Sequence, residues 1–373
     1  MRFFTTLLFA FMSALIAKAY DFESNGIYYN ILSSTDKTVE VTYKDEINFY
    51  EREDYIGDIT IPSTIDYKGK TLKVIAIGEQ AFYNCNELTS IVLGSNIETI
   101  GDLSFYGCSS LKAISLSGKI KSIGNSAFEK CTGLTSLNIP KNIELIDTEA
   151  FANCINIVEL NFENGVKTLG NYAFSNCDGI TKLIIPTSVE TIESDCFKSC
   201  DNLKSVEIKD TTTVLRLGTT NPFFKVKLDK LYIGRNIGHT PGYYLESLWV
   251  IRNVKEYTIG ENVTQLDWLA SEDVETITLL CATPPTCKAF TEAQYANINL
   301  YIPVGTTEVY SKVEPWCYFW NIQEGASTGI NQAEVAEDEV EAVYSINGQR
   351  CSMSDKGVLI LKMKSGKTMK VVK

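Results

Sequence analysis

The chain has 373 residues, 45% of them hydrophobic, and a formal net charge of −12 with a pI near 4.8. That is ample material for a large core, and the surplus of carboxylates argues against DNA or RNA as a partner, since nucleic-acid binding rests on Lys and Arg neutralising phosphates. A single histidine in the whole chain leaves little scope for Ser-His or Cys-His nucleophilic catalysis.

Met1-Arg2 is followed by an apolar run from Phe3 to Ala17, broken only by Thr5, Thr6 and Ser13, and then by Ala17-Lys18-Ala19 ahead of Tyr20. A basic start, a short apolar segment and an A-x-A site read as an export signal peptide over residues 1–19. The run falls short of the ~20 residues needed to span a bilayer, and no other segment is long and apolar enough to do so. The first cysteine after the cleavage site is Cys85, which disfavours a lipid-anchored form. Residues 20–74, β-rich in stretches such as Thr38 to Tyr43, are expected to form an N-terminal β cap or degenerate first unit.

Residues 75–210 hold six copies of one unit. Phe82, Phe105, Phe128, Phe151, Phe174 and Phe197 stand 23 residues apart, and Cys85, Cys108, Cys131, Cys154, Cys177 and Cys200 repeat the step three positions later. A fixed period of this length marks a solenoid, in which each unit buries its apolar face only by stacking on its neighbours. Both columns read as a structural ladder: rings stacked near the strand spacing and small buried thiols filling a core position. Cys196 occupies the small-residue column of Ala81, Ser104, Ala127, Ala150 and Ala173. No CxxC pair offers a thiolate metal site. Segments such as Leu134 to Ile139 and Leu203 to Ile208 alternate apolar and polar like half-buried strands, predicting one short strand per coil. Ile97, Ile120, Ile143, Val166 and Val189, each followed three residues later by another aliphatic, close the coil. Gly78, Gly101, Gly124 and Gly170 precede the Ala-Phe pair, where positive φ is expected of glycine. Glu193 in the same column should therefore make the sixth unit depart from the others.

Aligned, the units read Ile-Gly-x-x-Ala-Phe-x-x-Cys-x-x-Leu-x-x-Ile-x-Leu, carried for example as Ile123-Gly124, Ala127-Phe128, Cys131, Leu134, Leu137 and Ile139-Pro140. This resembles the bacterial leucine-rich repeats of the BspA-like kind, from about Ile61 to Glu324 when degenerate units are included. The resemblance implies a leucine-rich-repeat solenoid, an α/β fold of short parallel strands in 23-residue coils with β-rich caps. It further implies a cell-surface adhesin or host-interaction protein of anaerobic bacteria, especially Bacteroidetes, which binds and does not catalyse.

Over residues 211–324 the period breaks, and this stretch holds all four tryptophans, Trp249, Trp268, Trp316 and Trp320. Degenerate repeats and a C-terminal cap suit an open solenoid end, which must be covered by an atypical unit. Cys281 and Cys287 flank Ala-Thr-Pro-Pro-Thr outside the regular array, and a disulfide between them is one alternative in an exported chain. Residues 325–341 are acidic and lack Lys and Arg, as a solvated linker would. Residues 342–373 then flip in charge: Val343 to Arg350 alternates into an Asn347-Gly348 turn, followed by Lys356-Gly357-Val358-Leu359-Ile360 and Gly366-Lys367-Thr368-Met369-Lys370-Val371-Val372-Lys373. This small β-module is similar to the C-terminal sorting domain of the type IX secretion system. The similarity implies engagement of secretion machinery, passage across the outer membrane and removal of the tail on surface attachment.

Chemistry is sparse elsewhere. His239 lies in Gly238-His239-Thr240-Pro241 and reads as a surface turn. The Gly-Lys-Thr triplets at Gly69 and Gly366 lack the earlier glycine of a P-loop. No catalytic residue, metal site or cofactor emerges, and no transmembrane segment. The best candidate surface is the face of the long strands turned away from the core, expected to be concave: Ser90, Val92, Ser115, Ser136, Asn138, Glu159, Asn161, Lys182, Ile184 and Glu207. Its small polar and aliphatic groups suit a protein or glycan ligand of a host or neighbouring cell, on a protein secreted to the outward face of the outer membrane. Two rival readings stand beside this one: a structural envelope protein without a specific ligand, and a hydrolase within residues 211–324.

Overall fold

The computed structural model describes residues 19–44, 54–116, 118–239, 254–266, 269, 273–325, 340–345, 350, 358–363 and 368–372. They fall into two compact units that divide between Glu324 and Gly325. The sequence readings at residues 1–18, most of the acidic linker, the Asn347-Gly348 turn, Cys351, Trp249 and Trp268 lie outside the described residues.

The first unit is a parallel β-solenoid. Its chain enters through two hairpins, Phe22–Ser24 with Ile27–Ser33 and Thr64–Tyr67 with Lys70–Ile77. Each turns at a residue pair with positive φ, Asn25-Gly26 and Lys68-Gly69, the conformation that matches the twist of a two-residue hairpin. From there most of the regular coils supply two strands where the sequence predicts one. The longer type includes Ser136–Ile139, Glu159–Phe162, Lys182–Ile185 and Ser205–Ile208. In Ser136–Ile139 the side chains of Leu137 and Ile139 are buried and those of Ser136 and Asn138 exposed, the period-2 pattern of a strand with one face on the core. The shorter type has only two residues, as in Ser122–Ile123, Leu145–Ile146, Thr168–Leu169 and Thr191–Ile192, and these pair coil to coil in register. They arise at the second apolar pair: Ile143 and Ile146 are both fully buried, which pins the intervening corner.

The Ala-Phe segment forms no helix. It is a turn that bonds to the next coil through alternate residues: the N–H groups of Ser126, Phe128 and Lys130 donate to the carbonyls of Thr148, Ala150 and Ala152 at 2.9, 2.7 and 2.9 Å. The same triple recurs as Gln80, Phe82 and Asn84 and as Glu149, Phe151 and Asn153. Its first and third members have left-handed φ, for example Ser126 at 50° and Lys130 at 61°. A non-glycine residue there costs of order 1 kcal/mol, and the three coil-to-coil hydrogen bonds, each worth about 1 kcal/mol net, offset it.

Gly78, Gly101, Gly124 and Gly170 therefore serve a different purpose from the one expected: none has positive φ. A Cβ at Gly124 would stand 2.8 Å from the backbone of both Gly101 and Asp102, and one at Gly170 2.5 Å from Asp147 C. Glycine permits neighbouring coils to approach. The departure expected at Glu193 does not occur, since its N–H donates to Leu169 O at 2.8 Å as Gly170 N–H does to Ile146 O.

Inside the coil the six Phe and six Cys side chains are buried completely. Ring centroids from Phe82 to Phe197 follow one another at 4.9 to 5.4 Å with planes within 9° of parallel. The stack runs further than the period shows: Tyr55 packs on Phe82 at 4.5 Å, and Phe223 on Phe197 at 5.4 Å. From the second unit on, each thiol of the column donates to the carbonyl of the phenylalanine one coil back, as Cys131 to Phe105, Cys154 to Phe128 and Cys177 to Phe151, at 3.1 to 3.2 Å. Burial pushes the thiols of Cys154 and Cys200 up to about 12 and raises those of Cys131, Cys177 and Cys196 as well. Protonated thiols at neutral pH are neither nucleophiles nor ligands.

Beyond Ile208 the columns fail but the ladder does not. Lys182–Ile185, Ser205–Ile208, Leu228–Ile233, Val254–Ile259, Thr276–Leu279, Asn299–Ile302 and Asn321–Glu324 form one parallel sheet. Between the paired positions Ile208 and Leu217 the chain carries two residues more than between Ile185 and Ile192, and it swings outward through exposed Thr212, Thr213 and Val214. Arg235, from the next coil, reaches across the gap. Its guanidinium donates to Val189 O at 2.8 Å, Pro186 O at 2.9 Å and Thr187 O at 3.3 Å, and the whole side chain is buried. His239 lies in a strand, Ile237–His239, paired with Leu215–Leu217, and not in a turn.

Helix is confined here to Glu292–Asn297, Thr307–Tyr310 and a 3₁₀ turn at Trp316–Tyr318 among the described residues. Thr291 begins the first helix with a capping box closed by Gln294. Trp316 is buried and donates its indole N–H to Pro285 O at 2.7 Å, packing with Phe290 and Phe319, whereas Trp320 is 75% exposed. No disulfide joins Cys281 and Cys287, which corrects that alternative: the Cys281 thiol faces the Tyr310 hydroxyl at 3.6 Å, and Tyr310 donates to Cys281 O at 2.6 Å. The second unit, considered by itself, is a three-stranded antiparallel sheet of Val340–Ser345, Val358–Met363 and Thr368–Val372.

Candidate ligand-binding face

The longer strands present one row of side chains to the core and the next to solvent, so their register decides which candidate residues meet. Ser136 lies beside Glu159 and Asn138 beside Asn161. Lys182 lies beside Ser205 and Ile184 beside Glu207. Val92 is 56% exposed, and Ser90 donates to Asp58 at 2.7 Å from the neighbouring strand Gly57–Thr60.

The strands that carry these candidates do not form one continuous hydrogen-bonded sheet. Ser115 belongs to no strand, since on this side of the coil the only pairing with the preceding strand among the described residues is the isolated Ile91–Ile114 bridge. The pair of strands Ser136–Ile139 and Glu159–Phe162 forms a sheet separate from the one that begins at Lys182.

What the period conceals is that the continuous part of the face lies in the irregular region. From Glu207 the outward row runs Tyr232, Thr258, Thr278, Tyr301 and Gln323 in unbroken register. A second row runs from Ser205 through Lys230, Glu256, Thr276, Asn299 and Asn321. Steps along these rows vary between 20 and 26 residues, so a search at fixed period cannot find them. The strand alternation of Lys230 to Ile233 and Glu256 to Ile259 is the signal that could.

Charge on this face is compensated locally: Lys230 meets Glu256 at 3.0 Å, Lys255 meets Asp229 at 3.2 Å and Lys209 meets Glu207 at 2.6 Å. Tyr232 donates to both carboxylate oxygens of Asp210 at 2.9 and 2.7 Å. Burial, then that hydrogen bond, raises the Tyr232 phenol, so it stays a donor. At the start of these strands Lys204, Asp229, Lys255 and Glu275 line a depression of about 610 Å³. Among the described residues no group of three or more His, Cys, Asp or Glu is arranged to hold a metal ion, and no helix is long and apolar enough to cross a membrane.

A family model described as BspA type leucine rich repeat region matches in six copies, over residues 48–181, 124–247 and 167–300. No curated protein matches the chain. Among solved structures it is similar to a leucine-rich repeat protein from Bacteroides ovatus, at 21% identity over 82% of this chain and 99% of that one, TM-score 0.42. A leucine rich cell surface protein from Faecalibacterium prausnitzii is 18% identical over 82% and 95% of the two chains, TM-score 0.41. The pneumococcal vaccine antigen PcpA is 17% identical over 81% and 96%, TM-score 0.43.

Proposed function

We propose a surface-binding role for this chain, which belongs to the BspA-type leucine-rich repeat family. In this reading residues 1–19 direct export and residues 342–373 carry the protein across the outer membrane through a type IX pathway. The solenoid is then displayed outward and holds a protein or glycan ligand of a host or neighbouring cell. Residues 20–74, 75–210, 211–324 and 325–341 serve as cap, regular repeats, irregular repeats with terminal cap, and linker.

One observation carries the reading. The chemically reactive groups of the repeat, its thiols, are buried and protonated, while the long strands turn ordered rows of hydroxyl, amide and compensated charged groups to solvent. A surface so arranged makes many weak contacts over an area and concentrates no reactivity at a point.

The test compares wild-type cells with cells displaying two variants, Asn138→Ala/Glu159→Ala/Asn161→Ala and Glu207→Ala/Lys230→Ala, on panels of extracellular-matrix proteins and glycans. Binding by wild type that is weakened in at least one variant is the expected result. Normal display with no binding to any panel member points to the structural envelope protein instead. Deleting Ala342 to Lys373 should leave the protein in the periplasm, and undiminished surface display of that deletion removes the sorting role.

A further inference from the structure

Tyr232, Thr258, Thr278 and Tyr301 occupy four adjacent strands in continuous register. At the ~4.8 Å spacing of neighbouring strands the two tyrosines stand roughly 14 Å apart, with two threonines between them. The row is thus a trough walled by a ring at each end and floored by hydroxyl-bearing side chains, all four partly exposed. Glu256, Thr276 and Asn299 run alongside on the same strands.

One wall is fixed in place. The Tyr232 hydroxyl is tied to both oxygens of Asp210, and Gly260 has no side chain where a Cβ would stand 2.9 Å from that hydroxyl. A ring already held loses little conformational entropy when something stacks on it.

The chemistry of the occupant follows from charge. The lysines of these strands are spent on carboxylates, Lys230 on Glu256 and Lys255 on Asp229, and the further carboxylate beside the row, Asp210, is held by Tyr232, so an anionic ligand meets no uncompensated cation and would lose its hydration for nothing. What the row offers is ring faces for C–H surfaces and hydroxyl, amide and carboxylate groups for hydroxyls. The complementary ligand is neutral and rich in hydroxyls.

We propose that the trough between Tyr232 and Tyr301 binds an uncharged glycan, an inference that rests on the outward face being the binding surface and names the ligand it takes. The test probes the full-length chain with an array of neutral oligosaccharides alongside their sialylated and sulfated forms, followed by calorimetry on the strongest neutral binder. Neutral sugars should be preferred, with affinity changing less than about twofold between about 50 and about 500 mM salt. Tyr301→Ala should weaken binding about tenfold, the loss of one aromatic anchor. Thr278→Lys, a substitution at a partly exposed position that puts a charge on the trough floor, should abolish binding while thermal unfolding stays unchanged.

Preference for sulfated or sialylated forms, or neutral binding that survives both trough variants, overturns the proposal. If only protein ligands bind, and face variants abolish that binding, the glycan inference falls while the surface-binding reading stands. If no face variant alters any interaction, both fall.

Discussion

The coils before and after Ile208 keep the same parallel ladder by different means. In the regular coils each position is filled by the same residue type, so that Phe stacks on Phe and each Cys bonds back to the preceding Phe carbonyl. In the irregular coils the strand register persists from Ser205 to Asn321, yet the columns dissolve: among the described residues Phe223 is the last ring of the stack, and Val226, buried, stands where the next thiol would be. Backbone pairing, common to both, defines the solenoid, and side-chain columns are one way of filling it. Where the columns relax, outward positions accept larger residues such as Tyr232 and Tyr301, which places the richest surface chemistry in the less regular half.

If that contrast is right, the largest difference should come from the ring stack. Phe128 has a parallel neighbour on each side, and Phe128→Ala should cost about 3–5 kcal/mol in chemical denaturation. Phe223, at the end of the stack among the described residues, should fall at or below about 3 kcal/mol, and an equal or greater loss there would break the comparison. Next comes the spacing between coils. Gly124→Ala drives a Cβ against the backbone of Gly101 and Asp102 at 2.8 Å, whereas Gly238→Ala meets only the Val214 side chain at 2.9 Å. The first should cost about 1–3 kcal/mol as overpacking does, the second under about 1 kcal/mol because an exposed side chain can move.

The smallest effect is alkaline. The Cys154 thiol, ordinarily near 9.0, is held up to about 12 by burial. Unfolded chain then releases a proton near pH 9.0 that folded chain retains, so this part of the stability is whole below that pH and is lost as pH rises towards about 12. Cys154→Ala and Cys177→Ala should each flatten the fall in melting temperature above pH 9.0, the ordinary thiol value from which burial raises both groups.

How far the sequence could be read follows the same division. A 23-residue column of Phe or Cys is visible because one residue type recurs, and it leads directly to the core. Two-residue strands such as Leu145–Ile146 are too short to alternate and show only as an apolar pair. The left-handed residues of the turn, Ser126 and Lys130 among them, carry no compositional mark, so the sequence points instead to the nearby glycines, whose real constraint is contact between coils. Of the candidate face, Asn138 and Asn161 could be placed side by side from the period alone. Tyr232 and Tyr301 could not, because insertions shift the count while hydrogen bonding preserves the row.

Arg235 shows what such an insertion demands. Two extra residues between Ile208 and Leu217 carry the chain out of line, and one side chain from the following coil closes the opening by capping carbonyls of the coil before. Insertion and arginine therefore work as a single structural unit: without Arg235 the carbonyls of Pro186, Thr187 and Val189 lose its donors. A repeat array can thus change the length of a coil without breaking its sheet, provided that the repair is written one turn further along the chain.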